Sequence, residues 1–294
     1  MELGWLEDFV ALAEALNFTR AAEARHVTQP AFSRRIQALE AWIGTRLVAR
    51  STHGVALTAA GQHLHGRAEA LARDIGQLRQ ETRAVAGRES DALSFTATHA
   101  LSFTFFPQWI RERDRAAPLG AINLISDSMT ACEEIMRRGR AQFLLCHTHR
   151  DSPDRLPSDQ FRSAVIGHDV LLPLCAVTAG GAALWSLDSA ARRPRPYLAY
   201  SSESGLGRSV ASRAAAAALD PVFTSQLAAT LLSMAVARRG IAFLPCSLAQ
   251  DDLDHGRLVV AGGKRWHIPV DIRLYRPVTH QGRAAETLWA SVAG

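Results

Sequence analysis

The chain has 294 residues, 48% of them hydrophobic and 21% charged, a globular composition with enough length for two or three domains. No run reaches the roughly 18 apolar residues of a membrane-spanning helix, and Met1-Glu2-Leu3 lacks the basic start of a secretory leader, so a cytoplasmic location is expected. Four cysteines (132, 146, 175, 246) without a Cys-x-x-Cys pair point to reduced, buried thiols and no zinc cluster, and the net charge of +5 admits an acidic partner.

Leu3, Leu6, Phe9, Val10, Ala13 and Leu16 recur at helical spacing and give a first helix one apolar face. Thr19 is placed to N-cap a short second helix, which ends at Val27 and Thr28 before a proline. Thr28 then caps a third helix with Pro30 in its first turn, where a missing N–H costs nothing. Ala31, Ile36, Leu39, Trp42 and Ile43 read as the inward side of this helix, and Gln29, Ser33, Arg34 and Gln37 as its outward side. Such a helix end suits the major groove, where Gln pairs with adenine and Arg with guanine. Between residues 20 and 50, six arginines (20, 25, 34, 35, 46, 50) face two acids, Glu23 and Glu40; residues 1–90 as a whole carry 11 basic and 10 acidic residues. Positive charge is thus concentrated where phosphate would lie. With a hairpin-like tail to Leu57, this is the layout of a winged helix-turn-helix. The expected DNA contacts are Thr28, Gln29, Pro30, Ser33 and Arg34, with Arg50, Thr52 and His53 on the backbone. An ordinary helical hairpin with a solvated arginine face is the alternative.

Residues 58–88 carry Leu64, Ala68, Leu71, Ile75, Leu78 and Val85 at spacings of 4, 3, 4, 3 and 7, a heptad stripe that calls for a partner helix. Gly87 and Arg88-Glu89-Ser90-Asp91 read as a hinge. Beyond it, apolar strands at 93–97, 121–125, 142–146, 170–176, 197–200, 241–244 and 270–274 alternate with helices at 104–116, 129–138, 207–219 and 224–238, a pattern that predicts mainly parallel sheets. The basic, proline-broken run 192–196 reads as a surface turn.

Ligands of parallel sheets bind beyond the carboxyl ends of the strands, at helix N-termini. Those turns hold Thr98, His99, Ala100 and Ser102, then Ser126 and Ser128, then His147, then Tyr200, Ser201 and Ser202, the candidate effector-binding residues. For each alone, simple helix capping is the alternative. Met129, Met136, Met234 and Cys146 are candidate redox positions, with core packing as the alternative for the methionines. No Gly-x-Ser-x-Gly elbow, P-loop or His-Glu-x-x-His is present, so no catalytic residue, cofactor or metal is expected.

Ala24-Arg25-His26-Val27-Thr28-Gln29-Pro30-Ala31-Phe32-Ser33 through Ile36, Leu39-Glu40, Ile43-Gly44, Leu47 and Arg50, then Leu57-Thr58-Ala59-Ala60-Gly61, resembles the amino-terminal signature of LysR-type transcriptional regulators. Arg238-Arg239-Gly240-Ile241-Ala242-Phe243-Leu244-Pro245 and Gly256-Arg257-Leu258-Val259 are similar to that family's effector-domain pattern. Two departures stand out. Val48 replaces a usual aromatic residue, which is expected to loosen packing under the wing, and Gln142 replaces a common aspartate, which puts a local ion pair in doubt.

The resemblance implies an α/β protein with an all-α N-terminal part: a winged helix-turn-helix (1–57), a dimerising linker helix and hinge (58–90), and an effector domain (91–294). The effector domain would comprise two Rossmann-like subdomains of periplasmic-binding-protein type, 92–165 with 268–294 and 166–267. It implies a regulator that binds double-stranded DNA and a small effector or oxidant, assembles as a homodimer to homotetramer, and has RNA polymerase as a further partner. Trp5-Leu6-Glu7-Asp8-Phe9, Thr98 to Ser102 and Cys146-His147 resemble the hypochlorite-responsive branch. A small-molecule-binding or enzymatic domain dimerised by its N-terminal helices is the rival reading.

Overall fold

The computed structural model describes residues 2–51, 54–85, 92–150, 156–189, 194–216 and 219–293. They fall into two compact units, one within 1–88 together with 137–140, the other within 89–136 and 141–294.

The first unit runs α1 (Leu3–Ala15), α2 (Phe18–Ala24), α3 (Gln29–Ile43), a hairpin of β1 (Val48–Ser51) and β2 (Gly54–Leu57), and α4 (Ala59–Val85). Its core is Phe9, Leu12, Phe32, Ile36, Leu39 and Leu47, with Phe18 edge-on to Phe32. Three sequence expectations are corrected. Asn17, not Thr19, caps α2, accepting hydrogen bonds from Thr19 N and Arg20 N; its Oδ1 reaches both amides from the extended backbone just before the helix. Leu16 is not on the apolar face of α1, because the helix ends at Ala15 and Leu16 turns out in a left-handed conformation. Trp42 is exposed, because the inward row is Phe32, Ile36, Leu39 and Ile43, and this row leaves Trp42 on its flank.

The wing is clamped at its base. Glu40 Oε1 accepts from Leu47 N and Val48 N, while Thr58 Oγ1 donates to Arg46 O and accepts from Gly61 N. A Cβ at Gly61 would lie 2.1 Å from Leu47 O, so only glycine permits this approach. Along α4, Leu64 and Ala68 pack on Leu6 and Val10 of α1, whereas Leu71 and Leu78 are exposed. The side chain of Val85 and the hinge at 87–91 lie outside the described residues.

The second unit contains β3 (Leu93–Thr98), α5 (His99–Thr104), α6 (Phe106–Ala116), β4 (Ile122–Asp127), α7 (Met129–Arg137), β5 (Phe143–Thr148), β6 (Phe161–Ala176) and β7 (Arg195–Tyr200). It continues through α8 (Gly205–Ala216), β8 (Leu219–Ser225), α9 (Ala228–Val236), β9 (Ala242–Pro245), α10 (Cys246–Asp254), β10 (Leu258–Val260), β11 (Ile268–Pro277) and α11 (Arg283–Ala293). One sheet has the order β10-β6-β11-β5-β3-β4, with β9 also on β6; β7 and β8 form a parallel pair. The expected parallel pairing holds for β3 with β4 and β5 and for β7 with β8. It fails for β6 and β11, which run antiparallel to each other, because these strands carry the chain from one hydrophobic core to the other and back.

β8 falls where the sequence reads a helix end and a helix start; Pro221, a helix breaker, is tolerated there because, among the described residues, β8 has β7 as its only strand partner. Arg195 is buried rather than in a surface turn and donates to Ser189 O. Gln142 replaces the expected ion pair with neutral hydrogen bonds: its Oε1 accepts from Ser94 N and its Nε2 donates to Gln281 O.

Candidate functional site

In the first unit, Thr28 holds the extended N-cap backbone before α3, although its hydroxyl makes no cap bond. Gln29 and Pro30 open the helix; with Arg34 and Gln37 they are exposed, and Ser33 is half-buried. The turn thus brings Thr28, Gln29, Pro30, Ser33 and Arg34 onto one exposed helix end. The Arg50 side chain, Thr52 and His53 lie outside the described residues. Between α2, α3 and the wing lies an open cavity of about 310 Å³, lined by Phe18, Ser33, Ile36, Gln37, Glu40, Arg46 and Val48. The small side chain of Val48 lies at the gap.

In the second unit a much smaller pocket, about 30 Å³, is lined by Thr98, His99, Ala100, Asp127, Ser128, Met129, His147, Ser204, Gly205, Leu206, Gln226 and Ala228. That volume holds about two waters. These residues stand where β3 passes into α5, β4 into α7, and β8 into α9, and at the start of α8. Of the sequence candidates, Thr98, His99, Ala100, Ser128, His147 and Met129 line the pocket. Ser126 and Ser102 sit behind His99: Ser126 Oγ is 3.1 Å from His99 Nδ1 and 2.9 Å from Ser102 Oγ, which bonds His99 O at 2.7 Å. Tyr200, Ser201 and Ser202 are not in the lining. Tyr200 and Ser201 point their hydroxyls into buried surroundings, and burial raises the Tyr200 phenol well above its usual range. Asp127 and Ser204 of the lining belong to the turns that sequence reading marks after the strands, whereas it missed Gly205, Leu206, Gln226 and Ala228. Gln226 and Ala228 follow β8, so recognising that strand would have exposed them through the same strand-end rule.

His147 is 4% exposed, and neither ring nitrogen makes a hydrogen bond within the protein. Its Nε2 stands 3.5 Å from Asp169 Oδ2 without hydrogen-bond geometry. Burial pushes Asp169 upward, but hydrogen bonds from Ser247 and Val170 N and the attraction of His147 outweigh it and hold the carboxyl below its usual range. Ser247 donates to Asp169 at 2.5 Å rather than to the imidazole, so this serine is not an activated nucleophile. Thr98 Oγ1 is likewise buried without a partner in the protein.

Beside the pocket, α7 and α8 are tied together. Arg208 Nη2 bonds the buried Glu133 at 3.0 Å, and Met129 packs so closely on Gly205 that a Cβ there would lie 3.1 Å from Met129 Cγ. Met136 is fully buried, Met234 is half-buried against the other core, and Cys146 is fully buried. Burial pushes the Cys132 thiol up to about 11.

Residues 3–62 match the family described as bacterial regulatory helix-turn-helix protein, lysR family, and residues 86–294 match the LysR substrate binding domain. The chain belongs to the LysR family. It is 30% identical over 292 residues to the HTH-type transcriptional regulator YjiE of Escherichia coli K12, covering 98% of this chain and 93% of that protein. Among solved structures, Vibrio fischeri DarR in complex with DNA is 29% identical (TM-score 0.60), covering 100% of this chain and 99% of that one. Full-length HypT of Salmonella typhimurium, a hypochlorite-specific LysR-type regulator, is 27% identical (TM-score 0.58), with 100% and 98% covered. This LysR protein is therefore a DNA-binding transcriptional regulator with an effector domain, not an enzyme. Among the described residues no helix is long and apolar enough to cross a membrane.

Proposed function

We propose that this cytoplasmic regulator senses a small anion or oxidant of a few heavy atoms in the pocket around His147 and Met129 and transmits the signal to a DNA reader built on Thr28, Gln29, Pro30, Ser33 and Arg34. In this reading residues 1–57 read DNA, 58–90 pair two chains, and 91–294 sense the effector. Dimers or tetramers engage the operator and RNA polymerase. The observation that carries the sensor is the convergence of four helix starts and of a buried imidazole that makes no hydrogen bond within the protein on about 30 Å³. An aromatic effector would need the pocket to open.

The similarity to HypT favours oxidant sensing in particular. Sulfoxide formation at Met129 would place a polar oxygen between α7 and Gly205 and shift the packing of these two elements. Cys132, held as a protonated thiol, is a poor target for the same oxidant. The test is reporter transcription after sub-stoichiometric hypochlorite. Met129→Leu and His147→Gln should lose the response, and Met136→Leu and Met234→Leu should keep it. A parental response in the Met129 and His147 variants refutes the assignment.

A further inference from the structure

Helix α1 buries a carboxylate inside the DNA-reading unit. Asp8 has no solvent exposure, and two arginines of the helix-turn-helix converge on it: Arg25 Nε donates to Oδ1 at 2.8 Å and Arg35 Nη1 to Oδ2 at 3.2 Å. Arg25, the C-cap of α2, also pairs through Nη2 with Glu7. A buried carboxylate is tolerated only when it is paired, so one acid fixes two guanidiniums, one at the turn and one beside Arg34 on α3.

This pairing changes the charge available to DNA. The arginine surplus of residues 20–50 is reduced in the folded unit, because Glu7 and Asp8, outside that window, neutralise Arg25 and Arg35. Arg20, Arg34 and Arg46 are exposed. Phosphate contacts add affinity for every sequence alike, whereas base contacts discriminate. Every arginine kept off the phosphates therefore raises the share of binding that depends on sequence.

We propose that Asp8 is a specificity-determining residue: it withholds Arg25 and Arg35 from the DNA backbone and sets the angle at which α3 presents Gln29, Ser33 and Arg34. The inference rests on the placement of the DNA reader given above. Arg35 retains 42% side-chain exposure, so its guanidinium can swing to a phosphate once the carboxylate charge is gone.

The experiment uses the full chain and two probes: a duplex selected by the parent protein from a random library, and an unselected random duplex, each titrated over a range of salt concentrations. Asp8→Asn keeps the shape and removes the charge. It should bind the random duplex several-fold tighter, lower the ratio of selected to random affinity, and steepen the salt slope by about 0.9 per arginine that gains a phosphate. An unchanged ratio and slope overturn the proposal, as does a uniform loss of affinity with a shallower slope, which is the mark of a purely structural role. If circular dichroism shows Asp8→Asn unfolded, the neutral triple variant Asp8→Asn/Arg25→Gln/Arg35→Gln decides the matter. A parental slope supports withheld arginines, and a shallower one shows that they already contact phosphate and overturns the claim. A parent protein that selects no duplex overturns the DNA-reader placement itself, and the inference with it.

Discussion

Asp169 shows how a single residue links the pocket to the stability of its unit. Its carboxylate is ionised in a half-dry setting because Ser247 Oγ, Ser247 N and Val170 N all donate to it while His147 stands close by. A folded-state pKa below the usual value near 4 means that the ionised group adds stability above about pH 4. That contribution is lost as pH falls through the lower folded value. Melting temperature measured against pH should therefore drop more steeply in acid for the parent than for Asp169→Asn, which begins less stable at pH 7. Parallel acid limbs would show that these bonds do not favour the charged form. The same local geometry explains why Ser247 was invisible to sequence reading. It is 78 positions from its partner and belongs to no motif, and only the antiparallel pairing of β6 with β9 brings α10 to Asp169.

At the scale of elements, the wing is where a single family departure has a physical consequence. Val48 is buried at the base of β1 beside the open cavity of about 310 Å³. Val48→Phe should fill part of that space and stabilise the first unit by about 0.5–2 kcal/mol, seen as a raised denaturation midpoint with an unchanged denaturant slope. A lowered midpoint would mean that the gap cannot take a ring without strain. The helices of this unit were legible because their apolar spacing is set by local geometry; what failed were their ends. Leu16 and Trp42 fit a helical period, but chain reversal after Ala15 and the competing row through Ile43 leave both exposed. In the second unit strand positions were legible and strand directions were not. β6 and β11 look like any other apolar strand, and their antiparallel course is set by partners roughly 100 residues apart. β8 escaped because Asp220-Pro221 reads as a break, and with it went two residues of the pocket lining, Gln226 and Ala228.

For the whole molecule, the proposed pairing of two chains through α4 rests on the part of its heptad stripe that is not used within the chain. Its first members, Leu64 and Ala68, are used within the chain against Leu6 and Val10. Leu71 and Leu78, seven residues apart, are 43% and 62% exposed, a spacing that returns to the same face after two turns. Two leucines held in water on one face are stabilised by burial in a second copy, and a reader that occupies two half-sites gains affinity when the copies are linked. Leu71→Glu/Leu78→Glu places like charges in that seam while leaving strong helix formers in α4. Light scattering should then report a smaller assembly, circular dichroism an unchanged helix content, and the duplex selected by the parent a loss of at least about tenfold in affinity as the second half-site is no longer delivered together with the first. An unchanged mass with parental DNA affinity would assign pairing to another surface and leave these leucines without a role in assembly.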